Sequence, residues 1–236
     1  MKKIILSMVV ISFTFSIQSK EDVIWRVTDW PPMYILEGSD KGKGLYDELI
    51  SMFQKELPEY NHKHLNMNSK RALIQMDLGL NYCHTSMIMR EVKGRYAVSK
   101  LNSLLLGHQI IIRSDKINLL DNKSVTSLDS LIKSPVLRGG IASFGTHEFL
   151  KKYENDKDNL RITYLLEAYD QLLDMLFLGR VDYIVQYAPV AIYNEKMEGL
   201  TGSIKPVTIE ESLSDPYVKV YTACADTEIG RHVIST

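Results

Sequence analysis

Two stretches of this chain carry side chains suited to holding a small molecule. In "VTDWPPMYILEG" (27–38) two aromatic rings, Trp30 and Tyr34, flank a Pro31-Pro32 step directly behind an apolar segment, 23–27. Each proline fixes its own φ and pushes the residue before it to extended backbone, so the rings have little freedom left to lose on binding. Aromatic faces held this way stack on planar or cationic groups; the alternative is that they plug the edge of a folding unit. In "GGIASFGTHEFL" (139–150) Gly145 and Thr146 stand where a helix begins, with His147 beside them. Unpaired N–H groups, the helix dipole and the Thr146 hydroxyl would hold an anion there, or Thr146 would serve as a plain N-cap.

Other chemistries find less to work with. There is no Gly-x-Ser-x-Gly elbow, no His-Glu-x-x-His pair and no phosphate loop, so the sequence reads as a binder rather than an enzyme. His62 and His64 alternate along a strand, but no third metal ligand is near, and no metal or other cofactor is expected. Lys and Arg total 28 against 29 Asp and Glu, a formal net charge of −1, which excludes a basic nucleic-acid-binding face. The start, "MKKIILSMVVISFTFSIQSKED", has Lys2 and Lys3, an apolar run over 4–17 and small residues near Ser16 and Ser19. That is the layout of a signal peptide over 1–19, cleaved near Ser16–Ser19, and the run is short for a membrane span, an uncleaved anchor being the alternative. The expected location is periplasmic or secreted. There, Cys83 and Cys224 would form one disulfide, the alternative being two buried thiols packed as small apolar groups.

The elements that must position these groups alternate. An apolar strand at 23–27 precedes an amphipathic helix at 44–57 with Leu45, Leu49, Met52 and Phe53 on one face. A strand at 62–68 follows, then a helix at 69–79 with Ser69 as candidate N-cap and Gly79 past its end, then a strand at 82–89. This β-α-β-α-β order points to a mainly parallel sheet with right-handed crossovers. A second set begins with the β-branched strand at 107–115. It continues with helices at 127–132, 146–154, 168–179 and 190–198 and strands at 136–142, 161–165 and 181–187. Residues 204–209 lead back, and a last helix starts at 226, within which the sequence stops. Two α/β units result, the second inserted in the first.

Four landmarks in this order resemble the periplasmic or extracellular solute-binding proteins of family 3, the amino-acid type that feeds ABC importers. They are "DWPPMYI" followed by "GKGLYDELISMF"; "LGLNYCHTSMIMREVKGRYAVSK"; "GGIASFGTHEFL"; and "AYDQLLDMLFLGRVDYIVQY". Together they cover nearly the whole mature chain, and an uncharacterised exported branch with "DWPP" and two similarly placed cysteines is more similar still.

The resemblance implies an α/β fold of the type II periplasmic-binding-protein kind: two α/β lobes joined by a two-strand hinge, a Venus flytrap. Lobe 1 would be 20–108 plus 206–236 and lobe 2 109–205, with a ligand cleft between them. It implies a monomer that captures a small molecule for an ABC permease; a sensor or accessory module docking on a membrane receptor is the alternative, and a dehydratase using Glu148 or Glu167 a remoter one. Carried over residue by residue, the ligand would meet Trp30 and Tyr34, the hydroxyls of Thr85 and Ser86, Arg90 as carboxylate clamp with Arg95 as its competitor, then Gly145, Thr146 and His147. The family's ammonium-binding aspartate is replaced here by Tyr187 in "VQYAP", and Asp182 is expected to pair with Arg180. A free α-amino group would therefore lack a counter-charge, which argues against an ordinary amino acid as ligand. Both cysteines fall in lobe 1, so the disulfide would tie the third strand to the returning C-terminal segment.

Overall fold

Strand β1 (Asp22–Val27) buries Val23, Trp25 and Val27 against helix α1 (Leu45–Glu56), while its other face lies under helix α2 (Ser69–Asp77). A strand covered on both faces belongs to a parallel arrangement. β1 indeed pairs in parallel with β2 (Asn61–Asn66) and β3 (Tyr82–Ile88). The computed structural model describes residues 20–88, 95–121, 123–142, 162–165 and 169–236. Two antiparallel strands, β4 (Tyr96–Leu106) and the late β11 (Tyr217–Ala225), complete the first sheet in the order β2-β1-β3-β11-β4. The sequence reading assigned neither of these strands. β4 is an edge strand with much of its length exposed, so hydrophobic alternation does not mark it.

The second sheet runs β6-β10-β5-β9-β7-β8. Its strands are β5 (Gln109–Arg113), β6 (Val125–Thr126), β7 (Gly139–Ala142), β8 (Ile162–Leu165), β9 (Tyr183–Gln186) and β10 (Ile204–Ile209). Helices α3 (Leu128–Ile132), α4 (Tyr169–Phe177) and α5 (Ala188–Met197) belong to this half of the chain. Ile110 and Ile112 of β5 enter one core with Leu128 and Leu131, and Ile111 enters the opposite one with Leu172, Leu176 and Val190. Burying each such side chain contributes about 1.5–3 kcal/mol.

The chain leaves the first sheet at Leu106 and enters the second at Gln109. It returns between β10 and β11, through the 3-10 turn Glu210–Ser212. The sequence reading puts the return at 206, but β10 pairs with β5 and β6 through Ile209. Glu211 then caps α3, its carboxylate accepting from the Leu128 and Asp129 amides and the Ser127 hydroxyl. The last helix, α6 (Glu228–Ser235), closes back on the first sheet and buries Val233.

Two local expectations need correction. On α1 the inward stripe is Tyr46, Leu49, Ile50 and Phe53, while Leu45 and Met52 are 49% and 61% exposed. Leu45 and Met52 lie seven residues apart on a neighbouring stripe, and the fully buried Tyr46–Ile50 pair sets the helix rotation. The N-cap of α2 is Asn68, whose side chain accepts from the Arg71 amide, so the Ser69 hydroxyl is left for another partner. Gly79 does follow that helix, at φ +72°. Residues 1–19, the expected leader, lie outside the described residues, among which no helix is long and apolar enough to cross a membrane.

Cys224 stands opposite Cys83 in the β3/β11 ladder, their Cα atoms 4.1 Å apart, and the two form a disulfide across 141 residues of sequence. Closing a loop of that length stabilises by about 4–5 kcal/mol in the chain-entropy estimate. Replacing both cysteines by Ser should lower the unfolding free energy by roughly that amount in urea titrations, and the native protein should titrate no free thiol.

Candidate functional site

The aromatic loop is held by the start of α1. A helix begins with N–H groups that have no partner inside it. Here Leu45 N donates to Pro32 O (3.1 Å) and Tyr46 N to Met33 O (2.8 Å). The Asp47 carboxylate accepts from Gly44 N (3.1 Å) and reaches back to Ile35 N (2.8 Å), so one side chain ties the helix cap to the loop. The loop sits so close that a Cβ on Gly44 would fall 2.6 Å from Met33 O and 2.8 Å from Tyr34 Cα. Only glycine fits there.

This anchoring sends the two rings in different directions. Trp30 is half-buried and packs against the cores of both sheets. Its ring meets Tyr187 edge-on at 5.7 Å, and Tyr187 in turn lies 4.1 Å from the His108 ring. His108 sits on the outward crossing, and Tyr187 caps α5 just past the end of β9. The three rings therefore meet where the two halves of the molecule face each other. Tyr34 does not present an open face as expected: its ring has no exposed surface and packs on Tyr46, 5.3 Å between centroids. The same docking that fixes the loop presses Tyr34 into the first core.

The Tyr34 hydroxyl heads a chain of polar groups instead. It donates to Ser86 Oγ (3.0 Å) and lies 2.8 Å from Thr85 Oγ1. The Ser86 amide donates to His84 Nδ1 (3.2 Å), which leaves the ring proton on Nε2, 3.2 Å from Ser69 Oγ. His84 is buried, and that burial, together with the nearby Arg26 charge, holds its pKa well below the usual histidine value. Thr85 is further locked by Asn102, whose Nδ2 donates to the Thr85 carbonyl (3.1 Å) and to Thr222 Oγ1 (2.8 Å).

Arg26 lies beside this chain, on the β1 face under α2, and is only 6% exposed. Its Nε donates to Met67 O (3.0 Å) and its guanidinium carbon lies 5.7 Å from the Tyr34 ring centroid. No carboxylate pairs with it among the described residues. Burial lowers its pKa, and the Tyr34 hydroxyl beside it offsets only part of that effect. Holding an unpaired ion away from water costs on the order of several kcal/mol.

Other expected residues fall elsewhere. Arg90, Gly145, Thr146 and His147, with Glu148 and Glu167, lie outside the described residues. Arg95 is exposed and pairs with Asp77 at the far end of α2, 2.9 Å away. Asp182 pairs with Arg138 rather than Arg180, accepting from its backbone amide at 2.8 Å and its Nε at 3.4 Å. The reason is register: the chain entering β7 runs beside the start of β9, and Arg138 O in turn accepts from Asp182 N. His62 is structural, its Nδ1 accepting from Trp25 Nε1 at 3.0 Å and its Nε2 lying 2.9 Å from Leu57 O.

The sequence reading missed Arg26, His84, His108 and Gln186. Gln186 is fully buried at the end of β9; its Oε1 accepts from the Tyr187 amide, and its Nε2 has no partner among the described residues. A signal existed for Arg26 and Gln186. Each is a polar residue in a strand of otherwise apolar character, anomalous where both sheet faces are covered.

No family model matches this chain, and no curated protein matches it. Solved structures do. The arginine-bound form of a truncated arginine-binding protein from T. maritima is 13% identical, with a TM-score of 0.64, over 91% of this chain and 95% of that one. The GluR0 ligand-binding core in complex with L-glutamate is 11% identical, with a TM-score of 0.65, over 92% and 90%. The fold is that of the type II periplasmic binding proteins. The probable amino-acid ABC transporter extracellular-binding protein YtmK from Bacillus subtilis shares it at 18% identity, with a TM-score of 0.60, over 92% and 90%. In this fold two α/β lobes joined by two crossings face each other, and here the crossings are the Leu106–Gln109 step and the 210–216 return. Sheets of this kind offer the carboxyl ends of their parallel strands as a crevice; Trp30 and Tyr187 lie past such ends, and Thr85 and Ser86 lie within β3.

Two expectations follow. Gly44→Ala must displace loop backbone, so it should cost about 1–3 kcal/mol in chemical denaturation, unlike Gly42→Ala, whose cost comes only from its positive φ of +75° in open space. His84 stays neutral in the folded state, whereas the unfolded chain protonates it below its ordinary value of 6.5. The unfolded state then binds more protons, so stability should fall as pH drops below about 6.5, by up to about 1.4 kcal/mol per pH unit. His84→Gln should flatten that slope in denaturation curves recorded between pH 7.5 and 5.5 (about one unit either side of the histidine midpoint).

Proposed function

We propose that the chain is an exported solute-binding protein that captures a small molecule between its lobes and delivers it to an ABC permease. In this reading residues 1–19 are removed on export to the periplasm or medium, and the two lobes close on the ligand as a monomer. The observation that carries it is the ring cluster at the junction: Trp30 of the first lobe meets Tyr187 of the second, and Tyr187 packs on His108 at the crossing. A loop pinned to a helix cap holds the tryptophan there at low entropic cost to a ligand. Thr85 and Ser86 supply hydroxyls on the first lobe, and Arg90 with Gly145, Thr146 and His147 are the further contacts this reading assigns. Proteins of the same fold named for arginine, for L-glutamate and for amino-acid transport support the solute-binding role.

The ligand is proposed to have an acidic or neutral polar head and an aromatic or apolar body. An ammonium group would meet Tyr187 rather than a carboxylate, and an unmatched buried charge costs about 2–5 kcal/mol. Cation–π contact recovers only about 1–2 kcal/mol of that.

A thermal-shift panel of amino acids, polyamines, organic acids, sugars and cyclic dipeptides tests the reading. A true ligand at a hundredfold excess over Kd should add about 2.7 kcal/mol of stability. Trp30→Ala should remove that stabilisation, and Tyr187→Asp should strengthen binding of free amino acids. A panel without a single stabilising compound would overturn the binding role. Sub-micromolar calorimetric binding of an unmodified amino acid by the parent protein would overturn the ligand class.

A further inference from the structure

Arg26 is the one buried cation that the described residues leave without a carboxylate. We propose that Arg26 is a carboxylate-binding residue, receiving the acidic head of the ligand in a subsite formed by β1, β3 and the start of α2. This rests on the solute-binding reading above and narrows it to an anionic substrate class.

Three independent features converge there. The first is the charge itself. Arg26 is more than nine-tenths buried, and its partners are neutral: Nε donates to Met67 O, and the guanidinium also meets the Tyr34 hydroxyl. The only fully enclosed side-chain nitrogen or oxygen without a partner among the described residues is Gln186 Nε2. Arg26 is not on that account left without any partner, but none of its partners carries a negative charge, and a planar guanidinium fits a carboxylate bidentately.

The second is a donor already aimed. Because the Ser86 amide fixes His84 Nδ1 as acceptor, His84 Nε2–H donates to Ser69 Oγ. The half-buried Ser69 hydroxyl then has its own proton to give, and no acceptor takes it among the described residues. Asn68, rather than Ser69, caps α2, which frees this hydroxyl from the usual duty of a serine at a helix start.

The third is place. Arg26 and His84 lie one residue beyond the Trp25↔Cys83 pair of two parallel strands, towards their carboxyl ends. Ser69 opens the nine-residue α2, whose dipole presents its positive end to the same spot. Within α2 the one acid, Asp77, is the last residue and is engaged by Arg95, so the start of the helix carries no carboxylate. The groups around this arginine are a neutral histidine, a tyrosine and a carbonyl, none of which cancels its charge.

Three probes with one body separate the possibilities: phenylacetate, phenylacetamide and phenethylamine. They are titrated calorimetrically into the parent protein, Arg26→Gln and Arg26→Lys at pH 7.5 (about one unit above the histidine midpoint, so His84 is neutral in every state). The parent should bind phenylacetate at least about tenfold more tightly than the amide. Arg26→Gln should erase that preference while leaving amide binding intact, and Arg26→Lys should keep part of it as a point charge without the fork. The ligand-free Arg26→Gln protein should melt no lower than the parent, because it sheds an unpaired buried ion; a lower melting temperature would mark the arginine as structural and overturn the proposal. So would an acid preference that survives Arg26→Gln, a preference for the amine, or a parent protein that binds none of the three. Any stabilising compound in the wider panel would still uphold the solute-binding reading, so the two can fail separately.

Discussion

The Cys83–Cys224 bond and the ladder it sits in organise the first lobe. β3 pairs in parallel with β1 on one side and antiparallel with β11 on the other, so the register of one strand sets both neighbours. β11 arrives only after the whole second lobe has been made, yet it must insert between β3 and β4. Such long-range pairing forms late and is expensive in chain entropy, and a covalent tie at Cys83 removes part of that cost from the folded balance. The next residues, His84, Thr85 and Ser86, inherit their positions from this pairing, as does Asn102, which bridges Thr85 to Thr222 of β11.

Around that frame the first lobe carries an arrangement that stability alone does not explain. A sheet covered on both faces favours apolar residues throughout. Here β1 and β3 place an arginine and a histidine side by side under α2, and burial, with the cation's charge added, suppresses protonation of the histidine. Local departures from packing rules tend to gather at functional positions, where the stability lost is recovered elsewhere in the fold. The recovery is visible nearby: Trp25, Tyr46 and Ile50 are fully buried on the opposite face of the sheet.

The loop at 28–36 connects this interior to the junction between lobes. Its carbonyls satisfy the open end of α1, Asp47 ties both, and the result is one ring inside and one ring outside. Tyr34 becomes part of the polar chain that orients Thr85 and Ser86, while Trp30 crosses to the second lobe. A residue pair that reads as symmetrical in sequence thus has two different duties.

The amino-acid sequence determined the alternation of strands and helices, the insertion of one α/β unit in another and the loop chemistry at 30–34, because periodicity and proline act over a few residues. It also offered the cysteine pair as one of two readings, between which the strand register decided. Tertiary structure decided the rest. Which stripe of α1 turned inward depended on how Tyr46 and Ile50 packed, not on counting apolar residues. Strands β4 and β11 depended on partners more than a hundred residues away in sequence and left little local pattern. That no described carboxylate pairs with Arg26 is invisible in "VIWRVT", because which side chains meet a charge is decided only by packing.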